Sequence, residues 1–416
     1  MFSTVDRPVT GILAYGAGAR EEAVEESALL AKLDAARHHL AAPFAPERID
    51  LVASVAETLL GPQRATASGP AAHFAFWTRR AALMKLAQSF AARVPQHTLA
   101  RPRGLVFHLP PQNVETVFLY SWALAYLAGA ANIVRLPQAV SARMRAIVDL
   151  FLEKLEAQGD QSQLFVHYPS QGDLGAKISA LSDARVVWGG DAKVALFAPL
   201  PLRNGGKSIW FGDRFSFSTI NGAALDKLDE PALRALAKKL HNDVFVFDQM
   251  ACSSPHALYV VGEAAAHSVA VRRLLDACAL EWTMDDPKAR VGHAIGKMTA
   301  AFYAAGTGRA SSVNWRDTHL TSVVASSAER QEIRVGGGFL SVVFIGSLDE
   351  VPGFIREADQ TITYFGWERG EVEAVAASRT GPGVSRWAPI GTALDFDFIW
   401  DGYDIPFELT RLVRVS

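Results

Sequence analysis

The feature that most constrains this chain is a regular alternation of short apolar runs and longer amphipathic runs between residues 104 and 197. The apolar runs are rich in Val, Ile, Leu and Phe, as the buried strands of parallel sheets are. The alternation therefore predicts an α/β fold with a parallel sheet and a ligand-binding crevice at the carboxyl ends of its strands. The predicted strands are 104–110, 132–136, 164–168 and 184–188, and the predicted helices are 141–157, 172–182 and 192–197.

One uncharged run, from Val117 to Val134, has to be considered as a membrane span, because its length is close to the minimum for a spanning helix. Gly129 and Asn132 are typical of a helix end, and the Ile-Val-Arg-Leu-Pro segment after them is typical of a strand. We therefore predict a buried helix followed by a buried strand, and no membrane span.

Composition restricts the partners and the location of the protein. The chain has 416 residues, a formal net charge of −2 and no basic block, so nucleic acid is not an expected partner. Its two cysteines are far apart and predict neither a disulfide framework nor a metal site. The N-terminal residues lack the features of a signal peptide, and we expect a cytoplasmic protein.

The length indicates more than one domain. We expect a helical N-terminal part over 1–100, a parallel-sheet domain over 101–220, a second domain over 221–400, and a tail over 401–416 that serves as an oligomerisation strand. Within the first part, helices are predicted at 21–40, 46–60 and 74–94. Asp191 is expected to cap the helix at 192–197.

The segment Asp-Gln-Met-Ala-Cys-Ser-Ser-Pro, residues 248–255, lies between a predicted helix and a predicted strand at 257–261. A cysteine on a short loop between rigid elements is placed as nucleophiles are, so Cys252 is the candidate nucleophile. Cys278 lies in an apolar helical pattern and is expected to fill the core. His256 could lower the pKa of Cys252, but packing is the more common role of such a histidine, and its role stays open.

Four segments resemble the aldehyde dehydrogenase superfamily and, within it, the LuxC-type acyl-CoA reductases. They are LPPQNVETVF with GAANIVRLP, VVWGGD, DQMACSSPH, and RWAPIGTALDF with WDGYD, and they follow one another between residues 105 and 405. The resemblance implies an aldehyde-dehydrogenase-like fold, in which 101–220 is a Rossmann-type cofactor-binding domain and 221–400 an α/β catalytic domain. Residues 1–100 are then the helical N-terminal part of the cofactor-binding domain. It implies NADPH-dependent reduction of an acyl thioester, such as a fatty acyl-CoA or a carrier-bound acyl group, to an aldehyde.

The resemblance also implies the roles of two catalytic residues. Cys252 matches the nucleophile that forms an acyl-enzyme, and Asn113 matches the asparagine whose amide stabilises an oxyanion. Gln249 lies three residues before the cysteine, where the superfamily usually has a glutamine two before it. Glu332 matches loosely a glutamate that contacts the nicotinamide ribose.

Four further residues match positions that bind the cofactor. Arg135 stands where a lysine usually contacts the adenosine ribose, and Gln138 stands where NAD-preferring members often carry a glutamate. Gly189 and Gly190 match a loop that meets the pyrophosphate at a helix start. A planar cation suits a 2′-phosphate, and a neutral Gln138 does not repel one, so NADPH is expected, with NADH as the alternative cofactor.

One departure from the superfamily favours thioester chemistry. In aldehyde oxidisers a glutamate activates the hydrolytic water. The matching position in this chain lies near Trp210, in the segment Ser-Ile-Trp-Phe-Gly-Asp, which contains no glutamate. An aldehyde dehydrogenase that forms the acid stays open as an alternative, as does a non-catalytic scaffold for an acyltransferase or synthetase partner. A homo-oligomer is expected, with the strand-like tail at 409–415 as a pairing edge.

Overall fold

The computed structural model describes residues 11–16, 19–61, 70–111, 117–137, 142–281, 287–316, 319–328, 334–395 and 397–416. The chain divides into two compact units. Unit 1 comprises Met1–Asp213 and Phe396–Ser416, and unit 2 comprises Arg214–Asp395.

Helices and strands alternate through most of the described chain. In the first part of unit 1 they are β1 Leu13–Gly16, β2 Ala19–Ala23, α1 Glu26–Ala36, α2 Pro46–Leu60, α3 Pro70–Trp77, α4 Arg80–Arg93, β3 Thr98–Pro102, β4 Leu105–Leu109, α5 Val117–Leu127, β5 Ala131–Arg135, α6 Ala142–Gln158, β6 Gln163–His167, α7 Leu174–Leu181, β7 Ala184–Trp188, α8 Asp191–Phe197 and β8 Lys207–Phe211. In unit 2 they are β9 Phe215–Asn221, α9 Gly222–Asp226, α10 Glu230–Phe245, β10 Ala257–Val261, α11 Ala264–Leu280, α12 Pro287–Gly306, β11 Ala310–Arg316, β12 Leu320–Ala325, β13 Phe339–Ile345, a 3-10 turn Leu348–Glu350, α13 Val351–Phe354, β14 Asp359–Phe365, α14 Arg369–Ala377 and β15 Arg386–Pro389. The chain ends in unit 1 with β16 Ile399–Trp400, β17 Tyr403–Asp404, α15 Ile405–Glu408 and β18 Thr410–Arg414.

The sheet of unit 1 has the strand order β2-β1-β6-β5-β4-β7-β8. Strands β4 to β8 are parallel, whereas β1 runs antiparallel to β6 and β2 runs antiparallel to β1. Counted from β4, the parallel strands stand in the order three, two, one, four, five, which is the doubly wound order of nucleotide-binding folds. The α/β prediction is confirmed, and the sheet has its topological switch point between β4 and β7.

The apolar run that begins at Val117 forms a helix and a strand, as the sequence predicted. Helix α5 ends at Leu127, Gly129 adopts a φ of 90°, and β5 begins at Ala131. The helix is buried around its whole circumference, as the described side chains 118–127 show. No helix in the described part of the chain is both long and apolar enough to cross a membrane.

The first hundred residues contain strands that the sequence did not indicate. Residues 21–23, predicted as the start of a helix, belong to β2, and with β1 this strand extends the sheet at its β6 edge. Helix α1 accordingly begins at Glu26 and not at residue 21. The helix predicted at 74–94 is two helices, α3 and α4, because the chain breaks at 78–79. Strand β3 was also missed, and it pairs antiparallel with the predicted tail strand β18.

Unit 2 has its own sheet, with the order β11-β12-β13-β10-β9-β14-β15. All of its neighbouring strands are parallel except β11 and β12. Its core packs α10 and α11 against one face of the sheet, through residues such as Leu240, Leu274 and Leu258. Cys278 belongs to this core and is fully buried, as predicted. The loop that carries Cys252 enters β10, a central strand of this sheet.

Candidate active site

The loop between α10 and β10 carries Cys252 and has an unusual backbone. Asp248 and Gln249 adopt positive φ values of 50° and 61°, although neither is a glycine. Each such residue costs roughly 1–3 kcal/mol and persists only where the surrounding structure enforces it. The loop must therefore be held by contacts outside itself.

The side chain of Gln249 supplies most of those contacts. It is fully buried, and its Nε2 donates to the carbonyls of Pro255 and Phe339, each at 2.8 Å. Its Oε1 accepts from the backbone N–H groups of Gly338 at 3.1 Å and Phe339 at 2.9 Å. The amide thus joins both ends of the Cys252 loop to the start of β13. The loose sequence match of Gln249 corresponds to a structural clamp.

Three consecutive glycines complete the support of the loop. Gly336, Gly337 and Gly338 have φ values of 76°, 59° and 85°, and Gly337 N–H donates to the Asp248 carbonyl at 2.8 Å. A Cβ at Gly336 would lie 2.9 Å from the sulfur of Met250, and a Cβ at Gly337 would overlap the His293 ring. Both the conformation and the close packing therefore require glycine.

A buried lysine holds the other side of the glycine segment. Lys297 in α12 is 1% exposed, and its Nζ donates to the carbonyls of Gly337 at 2.6 Å and His319 at 2.9 Å. Burial lowers the pKa of Lys297 to about 8. Sequence reasoning missed this residue, because one lysine in an amphipathic helix pattern gives no sign of burial.

Cys252 itself is partly exposed, in contrast to Cys278. Its carbonyl accepts a hydrogen bond from Ser216 Oγ at 2.7 Å, and Ser216 Oγ in turn accepts from Thr361 N–H at 3.1 Å. The main chain at the cysteine is thereby fixed to β9 and β14. Burial raises the pKa of the Cys278 thiol well above its ordinary value, so Cys278 is unsuited to act as a thiolate.

His256 does not supply a positive charge to Cys252 at neutral pH. The residue is buried next to the ring of Phe215, and its main chain bonds to Ser216 and Ser341 at the start of β10. Burial, together with the nearby Arg334, lowers the pKa of His256 to about 4. The imidazole is thus neutral at pH 7, and the packing role weighed for it in the sequence fits these contacts.

Three of the predicted cofactor residues, Arg135, Gly189 and Gly190, lie at the carboxyl end of the sheet of unit 1. Gly189 directly follows β7, with a φ of 153°, and a Cβ there would lie 2.7 Å from Cδ of Lys193. Gly190 is the residue that precedes the first turn of α8. The glycine at 189 therefore leaves room for the Lys193 side chain to cross the backbone.

The prediction that Asp191 caps α8 was wrong. Gly190 occupies the cap position, and Asp191 is the first helical residue. The Asp191 side chain accepts from Asp213 N–H at 3.0 Å, and the Asp213 side chain accepts from Asp191 N–H at 3.0 Å. This reciprocal pair places two carboxylates at the start of α8, where they oppose the attraction of a helix N-terminus for phosphate.

Two cations lie at the same edge of the sheet. Arg135 ends β5, stacks over the Tyr168 ring at 4.4 Å and donates to the Tyr168 carbonyl at 3.4 Å. Lys193 Nζ donates to the carbonyls of Leu109 at 3.3 Å and Pro110 at 2.5 Å, so it spans from α8 to the end of β4 across the switch point. Burial and, to a smaller extent, the charge of Arg135 lower the pKa of Lys193 to about 8.

A buried polar network fixes the end of β7. The indole N–H of Trp188 donates to Ser121 Oγ at 3.1 Å, and Ser121 Oγ lies 3.2 Å from Nδ1 of His108. Nε2 of His108 lies 2.9 Å from Oδ1 of Asn132. Burial lowers the pKa of His108 to about 4, so this ring is neutral. The network orients Trp188 and therefore the backbone that leads into Gly189.

The family assignment follows from a comparison with protein-family models. The model described as acyl-CoA reductase (LuxC) matches residues 83–415, which is most of the chain. The chain belongs to the acyl-CoA reductase (LuxC) family. Membership identifies an oxidoreductase that reduces acyl-CoA to the aldehyde, and the predicted family and activity are confirmed. No curated protein sequence matches this LuxC-family chain.

Solved structures similar to this LuxC-family protein are aldehyde dehydrogenases. An NAD-dependent benzaldehyde dehydrogenase from Corynebacterium glutamicum is 14% identical, with 100% of each chain covered and a TM-score of 0.66. Succinic semialdehyde dehydrogenase from Streptococcus pyogenes, solved with NADP+, is 13% identical, with 94% of this chain and 95% of that chain covered and a TM-score of 0.65. A bifunctional proline utilization A protein is 14% identical over 94% of this chain, with a TM-score of 0.66, but only 44% of its own length is covered. At these identities the likeness establishes the fold, and it confirms the aldehyde-dehydrogenase-like prediction.

Three predicted residues lie outside the described part of this LuxC-family chain: Asn113, Gln138 and Glu332. The structure describes Cys252 in unit 2, and Arg135, Gly189 and Gly190 in unit 1. It also shows Lys193 close to Arg135 in unit 1, and Lys297 bound to the glycine segment that supports the Cys252 loop in unit 2. No group of three His, Cys, Asp or Glu side chains among the described residues is placed to hold a metal ion.

Proposed function

We propose that this protein reduces an acyl-CoA thioester to the aldehyde with NADPH, through an acyl-enzyme on Cys252. The observation that carries this proposal is the state of Cys252. It is partly exposed on a loop whose strained backbone is fixed by Gln249 and by the three glycines. A nucleophile has to be accessible and preorganised in this way, whereas Cys278 is buried and unsuited.

The Cys252 thiolate forms a bond to the acyl carbon while the bond between that carbon and the sulfur of CoA breaks, and CoA leaves as a thiol after taking up a proton. A bound NADPH supplies the hydride that reduces the acyl carbon. The carbonyl then re-forms, the bond between the carbon and the Cys252 sulfur breaks, and the aldehyde leaves. Cys252 returns as a thiolate, so each turnover would consume one thioester, one NADPH and one proton and would release one aldehyde, one CoA thiol and one NADP+.

Both addition steps place negative charge on the acyl oxygen. We assign its stabilisation to the Asn113 side-chain amide and the Cys252 backbone N–H. Loss of one such donor typically costs about 3 kcal/mol in the transition state. The hydrogen bond from Ser216 to the Cys252 carbonyl supports this assignment, because it fixes the orientation of the main chain at the cysteine.

Residues of unit 1 fit the phosphates of a dinucleotide. Arg135 and Lys193 lie close enough for their charges to interact, and in the described part of the chain their hydrogen bonds go to backbone carbonyls, with no carboxylate paired to either. Two neighbouring cations without an anion between them favour an anionic ligand. We therefore assign the pyrophosphate to Lys193 and the backbone at Gly189 and Gly190.

We assign the adenosine 2′-phosphate to Arg135. Its guanidinium is stacked on Tyr168, which leaves its edge to form paired hydrogen bonds with phosphate oxygens. Gln138 carries no charge that would repel the phosphate. These two residues support NADPH over NADH.

We also propose a homo-oligomer formed with a second copy of this chain. The two-stranded sheet of β3 and β18 exposes Leu99, Leu412, Val413 and Val415, which are between 37% and 54% exposed. In the described residues β18 has no strand on its other side, so it is an edge that another copy can extend. Light scattering should show an oligomer, and Val413→Asp should reduce its mass; a wild-type monomer would contradict this part.

The function is tested with a panel of acyl-CoA esters of different chain length and a carrier-bound acyl group, each with NADPH and with NADH. We expect consumption of NADPH to equal the release of aldehyde and of free CoA. Equal turnover with NADH would overturn the NADPH preference. Formation of acid from an aldehyde without any thioester turnover would favour an aldehyde dehydrogenase instead. Absence of both reactions, with tight binding to an acyltransferase or synthetase, would favour a scaffold.

A further inference from the structure

We infer that Lys297 is a positioning residue for Cys252: its buried ammonium group holds the Gly336–Gly338 segment, and that segment holds the strained loop that carries the nucleophile. Lys297 does not touch the substrate in this scheme. The inference rests on the proposed role of Cys252, and it adds a residue whose position in the sequence gives no indication of this role.

The first argument is the cost of burying the residue. Burial of an ammonium group costs free energy that its hydrogen bonds have to offset, whereas an apolar residue at this position of α12 would carry no such cost. Lys297 is 1% exposed, and its described hydrogen bonds go to two backbone carbonyls, those of Gly337 and His319. A residue retained at such a cost points to a requirement at the groups that it binds.

The second argument is that Gly337 connects Lys297 to the Cys252 loop. Its carbonyl accepts from Lys297 at 2.6 Å, and its N–H donates to the Asp248 carbonyl at 2.8 Å. The adjacent N–H groups, of Gly338 and Phe339, donate to Gln249. Three successive backbone donors are thus directed at the two residues with positive φ that precede Cys252 by three and four positions. The orientation of the Gly337 peptide therefore sets the position of the loop.

The third argument is that the glycine segment cannot hold this conformation by its own sequence. Three glycines in succession lose more conformational freedom on ordering than any other residues would. All three are needed, because side chains there would meet Met250, His293 and Phe245. An anchor outside the segment is therefore needed, and among the described contacts Lys297 supplies a side-chain donor to the carbonyl of the middle glycine, Gly337.

The test compares wild type with Lys297→Met, which keeps the length of the side chain and removes the donor. Two rates are measured without cofactor: alkylation of Cys252 by iodoacetamide, read by peptide mass, and the burst of CoA release from an acyl-CoA. We expect both to fall at least about tenfold, while the Kd for NADPH, which depends on unit 1, stays within twofold. Lys297→Gln, which keeps N–H donors, should lie between the two. Lys238→Met, on the exposed face of α10, is the matched control and should behave as wild type.

The outcomes separate the inference from the proposed function. Cys252 rates in Lys297→Met within twofold of wild type would overturn the positioning role. Absence of an acyl burst in wild type would instead overturn the proposed function, and the alkylation rates would still decide the role of Lys297. If Lys297→Met does not fold, Lys297→Gln decides the question: a folded Gln variant with wild-type rates contradicts the inference, and one with slower rates and unchanged NADPH binding supports it.

Discussion

Two lysines, one in each unit, have nearly the same local chemistry and different surroundings. Lys193 and Lys297 each donate to two backbone carbonyls, and burial lowers the pKa of each to about 8. Lys297 is almost fully buried, and Gly337, which it binds, is in turn hydrogen-bonded to the loop that carries Cys252. Lys193 is only partly buried, lies beside a second cation, and spans the switch point of the sheet.

The difference shows how the chain uses a costly buried amine in two ways. Lys297 is 1% exposed and binds a segment that is itself hydrogen-bonded to the Cys252 loop, whereas Lys193 is partly exposed and lies beside Arg135. Under the proposed function, the closed network of Lys297, Gly336–Gly338 and Gln249 preorganises the nucleophile. The open site of Lys193 and Arg135 then binds the phosphates of the cofactor.

The largest expected effect comes from removing the Gln249 amide, which makes four hydrogen bonds within the closed network. Gln249→Met keeps the volume of the side chain but leaves two N–H groups and two carbonyls without their partner. Unsatisfied buried groups cost about 1–3 kcal/mol each before relaxation, so the free energy of unfolding should fall by about 3 kcal/mol. Denaturant unfolding measures this. Gln96→Met, at an exposed position, should change it by less than about 0.5 kcal/mol; equal effects of the two variants would show that the clamp is not needed.

The next effect concerns the open site. Lys193→Met removes a charged donor worth about 1.5–3 kcal/mol when it binds an anion, so the Kd for NADPH should rise about tenfold or more. The rate of acyl-enzyme formation on Cys252 should not change. Calorimetric titration with NADPH and with ADP-ribose gives the affinities, and ADP-ribose should lose as much, because it keeps the pyrophosphate. A normal affinity with slow acylation would reverse the roles of the two lysines.

A pH series tests the same contrast, because burial lowers the pKa of both lysines from the ordinary 10.5 to about 8. As pH rises through about 8, free Lys193 loses its proton, so NADPH affinity should fall by up to about tenfold per pH unit in wild type. Lys193→Met should show a flat profile in this range. His167 is already neutral in this range, since burial and neighbouring arginines lower its pKa to about 4. A wild-type profile that is flat from pH 7 to 9.5 would contradict the assignment.

Folding stability should change in the opposite direction. Between pH 8 and 10.5 the unfolded chain binds more protons than the folded chain at these two lysines, so their contribution to stability rises with pH across that window. Lys297→Met should lose about half of this rise, because Lys193 contributes the other half. Unfolding at pH 7.5 and at pH 10 measures this difference.

The smallest expected effect is at the start of α8. Asp213→Asn keeps an acceptor for Asp191 N–H but removes one of the two carboxylates beside Gly190. Less repulsion of the pyrophosphate should improve NADPH affinity about threefold, in line with the modest energies of charges near helix ends. Weaker binding of NADPH would show that the phosphates lie elsewhere.

The parts of the fold that the sequence predicted are those with strong local patterns. Strands β4, β5, β6 and β7 are runs of buried apolar residues, and α5 is recognisable by the stop at Gly129. Strands β1 and β2 were missed because they are short and contain Ala, Gly and Glu, which do not favour strands. The pairing of β1 with β6 is a long-range contact that no local pattern encodes.

The candidate site shows the same limit. Cys252 was identified from its loop and its family resemblance, because both are visible in a short segment. The clamp at Gln249 depends on Phe339, and the capping of α8 depends on Asp213, which are partners distant in sequence. Lys193 and Lys297 could not be singled out, because burial of a lysine is decided by tertiary packing. The prediction that Asp191 caps α8 failed because its partner Asp213 is also distant in sequence.

The most direct measurement is the mass of the intact protein after incubation with an acyl-CoA in the absence of cofactor, followed by peptide mapping. The account predicts one acyl group per chain, on Cys252 in wild type and in Cys278→Ala, none on Cys252→Ala, and release of the aldehyde when NADPH is added. An acyl group on neither cysteine, or equal acylation of wild type and Cys252→Ala, would contradict it.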